Sequence, residues 1–375
     1  MAQALKPFGV ELVMAGRSEK TDTWEYRQGN DIGEIAYNPT AFPVARFSRA
    51  LKLGGYAAKF YQQVLPSLFT EQGFDGAIGF SSQHQVLQPV LEICQANNKP
   101  MFADVVEWFG WNPKYLLNGV LRQQTKLLND LLPKLDGLIG ISHFWNQWSD
   151  QQNIPNVWIP SFLGEIPATQ RTTDDGAPFT IAFMGHWIER ELPRTILGAM
   201  DLCLSRGIDI RMNVIGNVGK SIWEKKAVNF LNSNDKLREK VHFLGFLSEE
   251  EKEEQLVNAS AFIILRQDCR ETDALFPTRL PEYMATSNPL ILSDVGSFSS
   301  CFKHRKDVWF VSKENSVEKV AEAFEHLAKN EDERQLIGQQ GRESALKLFS
   351  PDVLGKRLSE FLHTVSSTKK GPIER

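Results

Sequence analysis

The sequence lacks the residue spacings of a metal site or a disulfide frame. Its four cysteines lie far apart without a Cys-x-x-Cys pair, and its seven histidines show no His-x-His or His-x-x-x-His spacing. An Asp-x-Asp pair, whose carboxylates would suit Mg²⁺, is also missing. We therefore expect no metal and no other cofactor. We predict that the cysteines are buried thiols in a reducing compartment: Cys94, Cys203, Cys269 and Cys301.

The chain also lacks an excess of positive charge and any long apolar run. Its formal net charge is −4, which argues against a nucleic-acid partner because such proteins normally present a basic surface. No apolar run approaches the roughly 20 residues that span a bilayer, and the first residues lack the apolar core of a signal peptide. We therefore expect a cytoplasmic protein, with peripheral contact at the inner face of the membrane as its closest approach to lipid.

The sequence does contain a regular alternation of apolar runs and helical patterns. Its 375 residues suit two α/β domains of roughly 150–200 residues each, and the alternation is typical of parallel sheets flanked by helices. The predicted strands are 10–15, 76–80, 100–106, 137–142, 156–159, 179–184, 210–215, 241–244, 261–265, 290–292 and 309–311. The predicted helices are 51–69, 85–96, 113–132, 143–150, 191–205, 223–232, 249–259, 279–286 and 316–329.

The polar stretch 164–178 marks the predicted domain boundary. We predict an N-terminal Rossmann-like domain over 1–165, a C-terminal Rossmann-like domain over 166–350, and a C-terminal helix with a frayed tail over 351–375. Because doubly wound sheets bind ligands beyond the C-terminal ends of their strands, two such domains predict a site in the cleft between them.

The segment 276–296 carries the clearest chemistry, as a loop, a short helix and a buried strand. We predict Thr278 as the N-cap and Arg279 as the first helical residue. The N–H groups of Thr278, Arg279 and Leu280 would suit a phosphate, and the Arg279 guanidinium would add a cation. The Glu282 carboxylate, about one turn further on, can accept hydrogen bonds from both hydroxyls of a ribose. The alternative is that Glu282 only complements the helix dipole and Arg279 is a solvated surface charge.

This segment resembles the nucleotide-binding signature of glycosyltransferase family 4, also called group 1, which has the two-domain GT-B fold. Members commonly have Phe-Pro-x-Lys-Leu-x-Glu-Tyr-Met-Ala-x-Gly-x-Pro before a strand and Asp-Val-Gly. Further motifs agree in order and spacing: Phe183-Met-Gly185, Val214-Ile-Gly216, Val241-His-Phe-Leu-Gly245 and 256–265. In the first half, Asp104-Val-Val-Glu-Trp108 and Ile141-Ser142 resemble motifs of members that build envelope polysaccharides.

The resemblance implies a retaining, metal-independent enzyme that moves a hexose from a nucleotide-diphosphate sugar to a glycan or lipid-linked acceptor. It implies that Glu282 binds the donor ribose, that residues 278–280 hold the diphosphate, and that Gly185 lets its loop approach that group. Donor binding then belongs to the second domain. Acceptor binding belongs to the first, with Asp104, Glu107 and Trp108 as candidates; the alternative for these aromatic and acidic residues is ordinary packing and solvation.

Several positions depart from the family's pattern. The glutamate that contacts the transferred sugar is replaced by Ala274, and Asp273 or Glu271 would have to substitute for it. The usual Arg and Lys on the diphosphate are His186 and Glu191, which leaves Arg190 or Arg194 to supply the charge.

Two further departures concern the backbone. The usual glycine before Pro289 is Ser287, and the family's first strand and glycine-rich loop have no counterpart before residue 5. A non-catalytic nucleotide-sugar or glycan-binding relative is therefore the first alternative function. A hydrolysing sugar-nucleotide epimerase is the second, although no clear set of acid–base residues favours it.

Overall fold

The computed structural model describes residues 1–17, 24–27, 33–37, 54–71, 73–80, 84–111, 115–116, 119–164, 177–186, 189–216 and 222–369. The chain divides into two units. The first contains Met1–Pro160, Ala274–Phe276 and Pro351–Arg375, and the second contains Ser161–Asp273 and Pro277–Ser350.

A four-stranded parallel sheet forms the centre of the first unit. Its strands follow one another in sequence order: β4 (Ala77–Phe80), β5 (Met101–Val105), β6 (Gly137–Gly140) and β7 (Asn156–Trp158). All four were predicted. β6 is buried along its whole length, as expected for a parallel strand that is covered on both faces.

A second, three-stranded sheet precedes it. Its strands are β1 (Val13–Arg17), β2 (Trp24–Arg27) and β3 (Gly33–Tyr37), with β3 in the middle, parallel to β1 and antiparallel to β2. Only β1 was predicted, three residues too early. The other two were missed because they are short and carry charged residues, so they give no continuous apolar run.

The helices of the first unit lie mostly where the periodicity indicates. They are Ala2–Leu5, Gly54–Glu71, His84–Ala96, Val120–Lys126, His143–Gln151 and Pro351–Lys369. The predicted helix 113–132 is interrupted: residues 115–116 are helical, Gly119 has a φ of 78°, and the helix Val120–Lys126 then continues as a π-helical segment, Leu127–Leu131. Residues 112–114 and 117–118 of that prediction lie outside the described residues.

The C-terminal helix Pro351–Lys369 belongs to the first unit although it follows the second in sequence. Its Lys369 ammonium pairs with the Asp136 carboxylate at 2.7 Å, and the ring of Phe361 packs edge-on against Phe102 of β5 at 5.7 Å. These contacts attach the end of the chain to the four-stranded sheet.

A six-stranded, fully parallel sheet forms the centre of the second unit. Its strands are β8 (Phe179–Met184), β9 (Ile210–Ile215), β10 (Val241–Gly245), β11 (Ala261–Ile264), β12 (Leu290–Ser293) and β13 (Trp309–Val311). The spatial order is β10-β9-β8-β11-β12-β13, so the chain reverses direction across the sheet at β8. All six were predicted, and β11 and β12 are buried throughout because they are unbroken apolar runs.

Helices cover this sheet. They are Pro193–Ser205, Ile222–Asn232, Asp235–Arg238, Glu249–Val257, Arg270–Ala274, Leu280–Ala285, Phe298–Cys301, Val317–Lys329 and Glu331–Phe349. The helix Val317–Lys329 buries the face that its periodicity predicts, including Val320, Phe324 and Leu327. None of the described helices is both long enough and apolar enough to cross a bilayer.

The helix Glu331–Phe349 was not predicted, because it is rich in charge and contains two glycines, which are poor helix formers. The glycines have a packing role. A Cβ added to Gly341 would lie 2.7 Å from the Asp307 carbonyl oxygen, so only glycine allows this approach between helix and loop.

The four cysteines are free thiols. Cys94 and Cys203 are buried, whereas Cys269 and Cys301 are half-buried, so the predicted burial is right for two of the four. Burial raises the pKa of Cys94 to about 12 and that of Cys203 to about 11, which keeps both protonated and unreactive.

Candidate functional site

The candidate site lies in the second unit, at the C-terminal ends of three neighbouring strands. β8, β11 and β12 are adjacent in the sheet. The residues directly after β8 include Gly185, and Arg266 lies two positions after β11. This is the edge at which parallel sheets bind ligands, next to the point where the strand order reverses.

Gly185 and Arg279 face each other at this edge; the sequence motifs assign each of them separately to the donor diphosphate. Gly185 has a φ of 131°, and a Cβ added to it would lie 2.7 Å from Nη1 of Arg279. The Arg279 guanidinium also lies over the ring of Phe183, 4.8 Å from its centroid. The absence of a side chain at 185 therefore leaves room for the arginine, and the aromatic ring holds its position.

The helix after Arg279 starts one residue later than predicted. It spans Leu280–Ala285, with Arg279 in the N-cap position and no side-chain cap, so the prediction of Thr278 as N-cap was wrong. The Leu280 N–H donates to the Pro277 carbonyl oxygen at 3.0 Å and is not free for a phosphate. The physical reason is a tight turn at Pro277, which uses this N–H before the helix begins. Thr278 itself is exposed.

Arg279 belongs to a buried cluster of charges that the sequence did not predict. The Glu191 carboxylate pairs with both Arg279 and Arg266. Glu191 is 3% exposed and Arg266 is 6% exposed. The motif indicates only a missing cation at position 191, and no motif contains Arg266. An arginine directly after the apolar run 261–265 was the available signal, because a buried strand end rarely carries an unpaired charge.

The groups around Arg266 shift its pKa in opposite directions. Burial lowers the pKa of Arg266, the Glu191 carboxylate raises it in part, and the neighbouring cations Arg279 and Arg190 lower it again. Arg279 also has a buried Nε atom for which no hydrogen-bond partner exists among the described residues. The cluster therefore holds more positive charge than one carboxylate can offset.

Glu282 lies on the short helix, with its side chain 31% exposed and 3.2 Å from the Lys252 ammonium. Lys252 also pairs with Glu249 at 2.5 Å, and hydrogen bonding to Glu249, with the nearby Glu282 charge, raises the pKa of Lys252. Sequence reasoning missed Lys252, which keeps one oxygen of the Glu282 carboxylate in a defined place.

Tyr283 connects the same helix to the end of β8. Its hydroxyl oxygen accepts a hydrogen bond from the Met184 N–H at 2.6 Å, and its ring stacks on Phe262 at 4.2 Å and 9°. Complete burial raises the pKa of Tyr283 to about 12. The tyrosine thus fixes the backbone immediately before Gly185.

Glu271 and Asp273 lie on a separate short helix, Arg270–Ala274. Asp273 is placed at Gly296, where an added Cβ would be 3.4 Å from its Oδ1. Burial and the Asp268 charge raise the pKa of Asp273. Ala274 is fully buried, and its carbonyl oxygen accepts a hydrogen bond from Trp145 Nε1 at 3.0 Å.

The remaining donor-side candidates lie around the turn after β8. His186 and Arg190 are exposed, and Arg190 is part of the turn Glu189–Glu191. Arg194 lies over the ring of Phe230, 5.7 Å from the centroid. Arg190 remains within electrostatic range of the Arg266 guanidinium.

The acceptor-side candidates lie in the first unit. Asp104 is the fourth residue of β5, and burial raises its pKa to about 6, partly offset by the Met1 amino group. Glu107 is exposed. Trp108 packs against Phe144 and Trp145, with ring centroids 5.4 and 5.9 Å apart. Its position is therefore fixed by aromatic contacts.

Comparison with known families identifies the second half of the chain. Residues 168–344 match the family model of glycosyl transferases group 1. The match places a domain of the group 1 glycosyltransferase type in this half of the chain. The matched region contains the charged cluster, Gly185 and Glu282, and it confirms the resemblance seen in the sequence, including the expectation of an enzyme that transfers a glycosyl group. No curated protein matches the sequence.

Solved structures of other glycosyltransferases share the fold. Sucrose-phosphate synthase from Thermosynechococcus elongatus has a TM-score of 0.73 at 14% identity, over 98% of this chain and 92% of that one. A glycosyltransferase from Rickettsia africae has a TM-score of 0.70 at 14% identity, over 99% and 93%. Anabaena HepE in complex with UDP-glucose has a TM-score of 0.63 at 13% identity, over 83% and 82%. The α/β, GT-B fold class is thereby confirmed.

Proposed function

We propose that this group 1 glycosyltransferase takes a nucleotide-diphosphate hexose as its donor and transfers the hexose, with retention, to a glycan or lipid-linked acceptor. The observation that carries the proposal is the pairing of Gly185 with Arg279. A cation stands against a glycine loop at the C-terminal edge of a parallel sheet, with the Glu282 carboxylate three residues further on. The UDP-glucose complex of HepE, which has the same fold, supports the same class of donor.

Arg279 is the proposed ligand of the diphosphate. A planar guanidinium gives two parallel hydrogen bonds to phosphate oxygens, and the missing side chain at Gly185 allows the anion to approach the backbone of the loop. The Arg279 side chain is 14% exposed, so it is largely desolvated, and its hydrogen bonds to an anion are stronger than they would be in water.

Glu282 is the proposed ligand of the donor ribose. An ionised carboxylate has about four acceptor sites, and the Lys252 ammonium at 3.2 Å occupies one side of it. The remaining oxygen can accept both hydroxyls of a diol. Lys252 then acts by fixing the rotamer of Glu282, which lowers the entropy lost when the ribose binds.

The proposed reaction occurs on one face of the sugar. The bond between the anomeric carbon and the diphosphate oxygen breaks, the acceptor oxygen bonds to the same carbon from the same face, and the acceptor proton passes to the departing diphosphate. No protein nucleophile is needed. Arg279 and its neighbouring cations would stabilise the charge that develops on the leaving group, a role in which one such donor is typically worth about 10²–10³ in rate. No metal takes part in this proposal.

The contacts to the transferred hexose are proposed for Asp273 and Glu271, with Thr278 and His186 lining the donor site beside Arg190. Asp104, Glu107 and Trp108 are proposed for the acceptor side.

One observation favours a second function, that of a nucleotide-sugar-binding relative without turnover. Ala274 stands where the family has its first glutamate, and it is fully buried with its carbonyl oxygen bonded to Trp145. In this packing, position 274 contributes nothing polar beyond its backbone. Binding of a nucleotide sugar without transfer or hydrolysis would support this second function.

Thermal unfolding with UDP, GDP, ADP and dTDP tests the donor site. We expect one of these nucleotides to raise the midpoint, and Glu282→Ala to abolish that rise. The matched control is Glu254→Ala, an exposed carboxylate on the helix Glu249–Val257, which should leave the rise unchanged. An equal rise in Glu282→Ala and wild type would refute the ribose assignment, and no rise with any nucleotide would refute the donor class.

A further inference from the structure

The cluster of Glu191, Arg266 and Arg279 has an unequal exposure. Oε2 of Glu191 contacts Nη1 of Arg266 and Nη2 of Arg279. The side chains of Glu191 and Arg266 are 4% and 8% exposed, whereas that of Arg279 is 14% exposed. Arg279 is thus the member most accessible to a ligand, and the other two are almost completely shielded from water.

The cluster carries an excess of one positive charge. Two guanidiniums share one carboxylate, and within the described part of the chain no other Asp or Glu forms an ion pair with Arg266 or Arg279. A buried charge without a counter-ion is costly, and Arg190 adds a further cation nearby. The excess positive charge of the cluster is therefore neutralised only when an anion binds next to it.

Arg266 determines this excess. If Glu191 paired with Arg279 alone, the two charges would cancel and the guanidinium at Gly185 would attract an anion weakly. Because the Glu191 carboxylate is shared, Arg279 keeps a large part of its charge.

The backbone holds Arg266 firmly in this arrangement. Its N–H donates to the Ser293 hydroxyl at 2.8 Å, and its carbonyl oxygen accepts from Asn315 Nδ2, also at 2.8 Å. The Ser293 hydroxyl in turn donates to Asn315 Oδ1 at 2.5 Å. Ser293 ends β12, so the neighbouring strand and the loop after β13 fix the start of the Arg266 side chain.

We propose that Arg266 is a positioning residue for the donor diphosphate. Arg266 shares the negative charge of Glu191, so this carboxylate neutralises Arg279 only in part. The remaining positive charge of Arg279 attracts the anion. This inference rests on the proposed function, because it assigns the anion to the diphosphate of the donor. Arg266 itself touches Glu191 and not the ligand.

A purely structural role for Arg266 makes a different prediction. If Arg266 only anchors the turn Glu189–Glu191, its loss would weaken binding through disorder, and a second substitution at 191 would not help. If the charge balance determines affinity, removing the charge of Glu191 should restore the anion binding that is lost with Arg266. The two roles therefore differ in whether Glu191→Gln rescues Arg266→Gln.

The test measures binding of inorganic pyrophosphate and of the nucleoside diphosphate that stabilises the wild type, by calorimetry at low ionic strength. Arg266→Gln should weaken both at least about tenfold, since it removes one unit charge near the anion in a poorly solvated site. The double variant Arg266→Gln/Glu191→Gln restores the charge excess and should bind within about threefold of the wild type. Arg266→Lys should also stay close to the wild type.

Arg206 and Glu325 provide a matched control pair in the same unit. They form an ion pair at 3.0 Å on the surface, and Arg206→Gln, alone or with Glu325→Gln, should leave both affinities unchanged. Should Arg266→Gln fail to fold, Glu191→Gln decides the matter, because it raises the charge excess and should tighten pyrophosphate binding by about tenfold.

The outcomes separate this inference from the proposed function. Three results would overturn the role of Arg266 without affecting the proposed donor site. They are unchanged binding in folded Arg266→Gln, weakened binding that Glu191→Gln does not restore, and no tightening of binding in Glu191→Gln. Rescue with pyrophosphate, but no binding of any nucleoside diphosphate, would support the charge-sharing cluster and refute the proposed donor. A wild type that binds neither anion would refute both.

Discussion

The Met184 N–H donates a hydrogen bond to the Tyr283 hydroxyl at 2.6 Å, although the two residues are 99 positions apart. The bond joins the end of β8 to the short helix that carries Glu282, and it lies one residue before Gly185. This buried hydroxyl thereby ties the backbone before Gly185 to the helix that follows Arg279, the two segments of the proposed donor site.

Tyr283→Phe should lower the free energy of unfolding by about 1–3 kcal/mol, because the Met184 N–H loses its partner in a buried place. The ring still fits against Phe262, so no large cavity forms. Denaturant unfolding measures the change. Tyr115→Phe serves as the control, because no partner for the Tyr115 hydroxyl exists among the described residues, and it should change the free energy by less than about 0.5 kcal/mol. Equal effects in the two variants would contradict the importance of this bond.

Gly185→Ala should weaken binding of the nucleoside diphosphate about tenfold or more and lower the free energy of unfolding by about 1–3 kcal/mol. The φ of 131° strains any residue with a Cβ, and the new methyl group would lie 2.7 Å from Arg279 Nη1. Titration calorimetry and thermal unfolding measure the two effects.

Gly207→Ala is the matched control for Gly185→Ala. Gly207 also has a positive φ, of 79°, but an added Cβ would meet nothing within 4 Å. It should therefore lose only about 1 kcal/mol of stability and no affinity. If Gly185→Ala bound the nucleotide as tightly as Gly207→Ala does, the contact between Gly185 and the ligand site would be disproved.

Ser287→Gly should raise the free energy of unfolding by about 1 kcal/mol. Ser287 has a φ of 65°, a left-handed conformation that costs a non-glycine residue about 1–2 kcal/mol. Thermal unfolding gives the measurement. Ser367→Gly, at an exposed helical position near the C-terminus, should instead leave stability unchanged or reduce it. Loss of stability in Ser287→Gly would count against the strained turn.

Asp104→Asn should stabilise the protein increasingly as the pH rises from about 4 to 7. Burial raises the pKa of Asp104 from 3.8 to about 6. In this interval the unfolded chain releases the proton while the folded chain retains it, so the wild type loses stability as the pH rises. The whole difference is on the order of 3 kcal/mol at neutral pH and vanishes below pH 4.

Urea unfolding at several pH values tests the Asp104 prediction. Asp332→Asn, an exposed carboxylate in the first turn of Glu331–Phe349, is the control and should show a small difference from wild type at every pH. A stability advantage of Asp104→Asn that stayed constant between pH 4 and 7 would show that Asp104 does not titrate in this interval.

The sequence predicted the parallel strands well because these strands are continuous apolar runs between glycines, prolines and polar turns. β8, β9 and β13 begin and end at the predicted residues. β2 and β3 were missed because charged residues interrupt their apolar pattern. The helix Glu331–Phe349 was missed because its glycines are poor helix formers. Only the tertiary structure shows that close packing requires them.

The candidate site was predictable where it follows a linear motif and not where it depends on long-range pairing. The motifs around Gly185 and Arg279 assign both residues to the same anion, and the structure brings the two together. The attachment of Glu191 to Arg266 joins positions 75 residues apart, and neither residue belongs to a motif that links them. The start of the helix after Arg279 was misplaced by one residue because Pro277 closes a turn that propensities alone do not indicate.

The shared carboxylate of Glu191 also constrains how this chain can diverge. Replacement of Glu191 by lysine would bring three cations together at a buried position. Loss of Arg266 would leave Glu191 to neutralise the charge of Arg279. In descendants of this sequence, we therefore expect loss of the cation at position 266 to appear together with loss of the carboxylate at position 191.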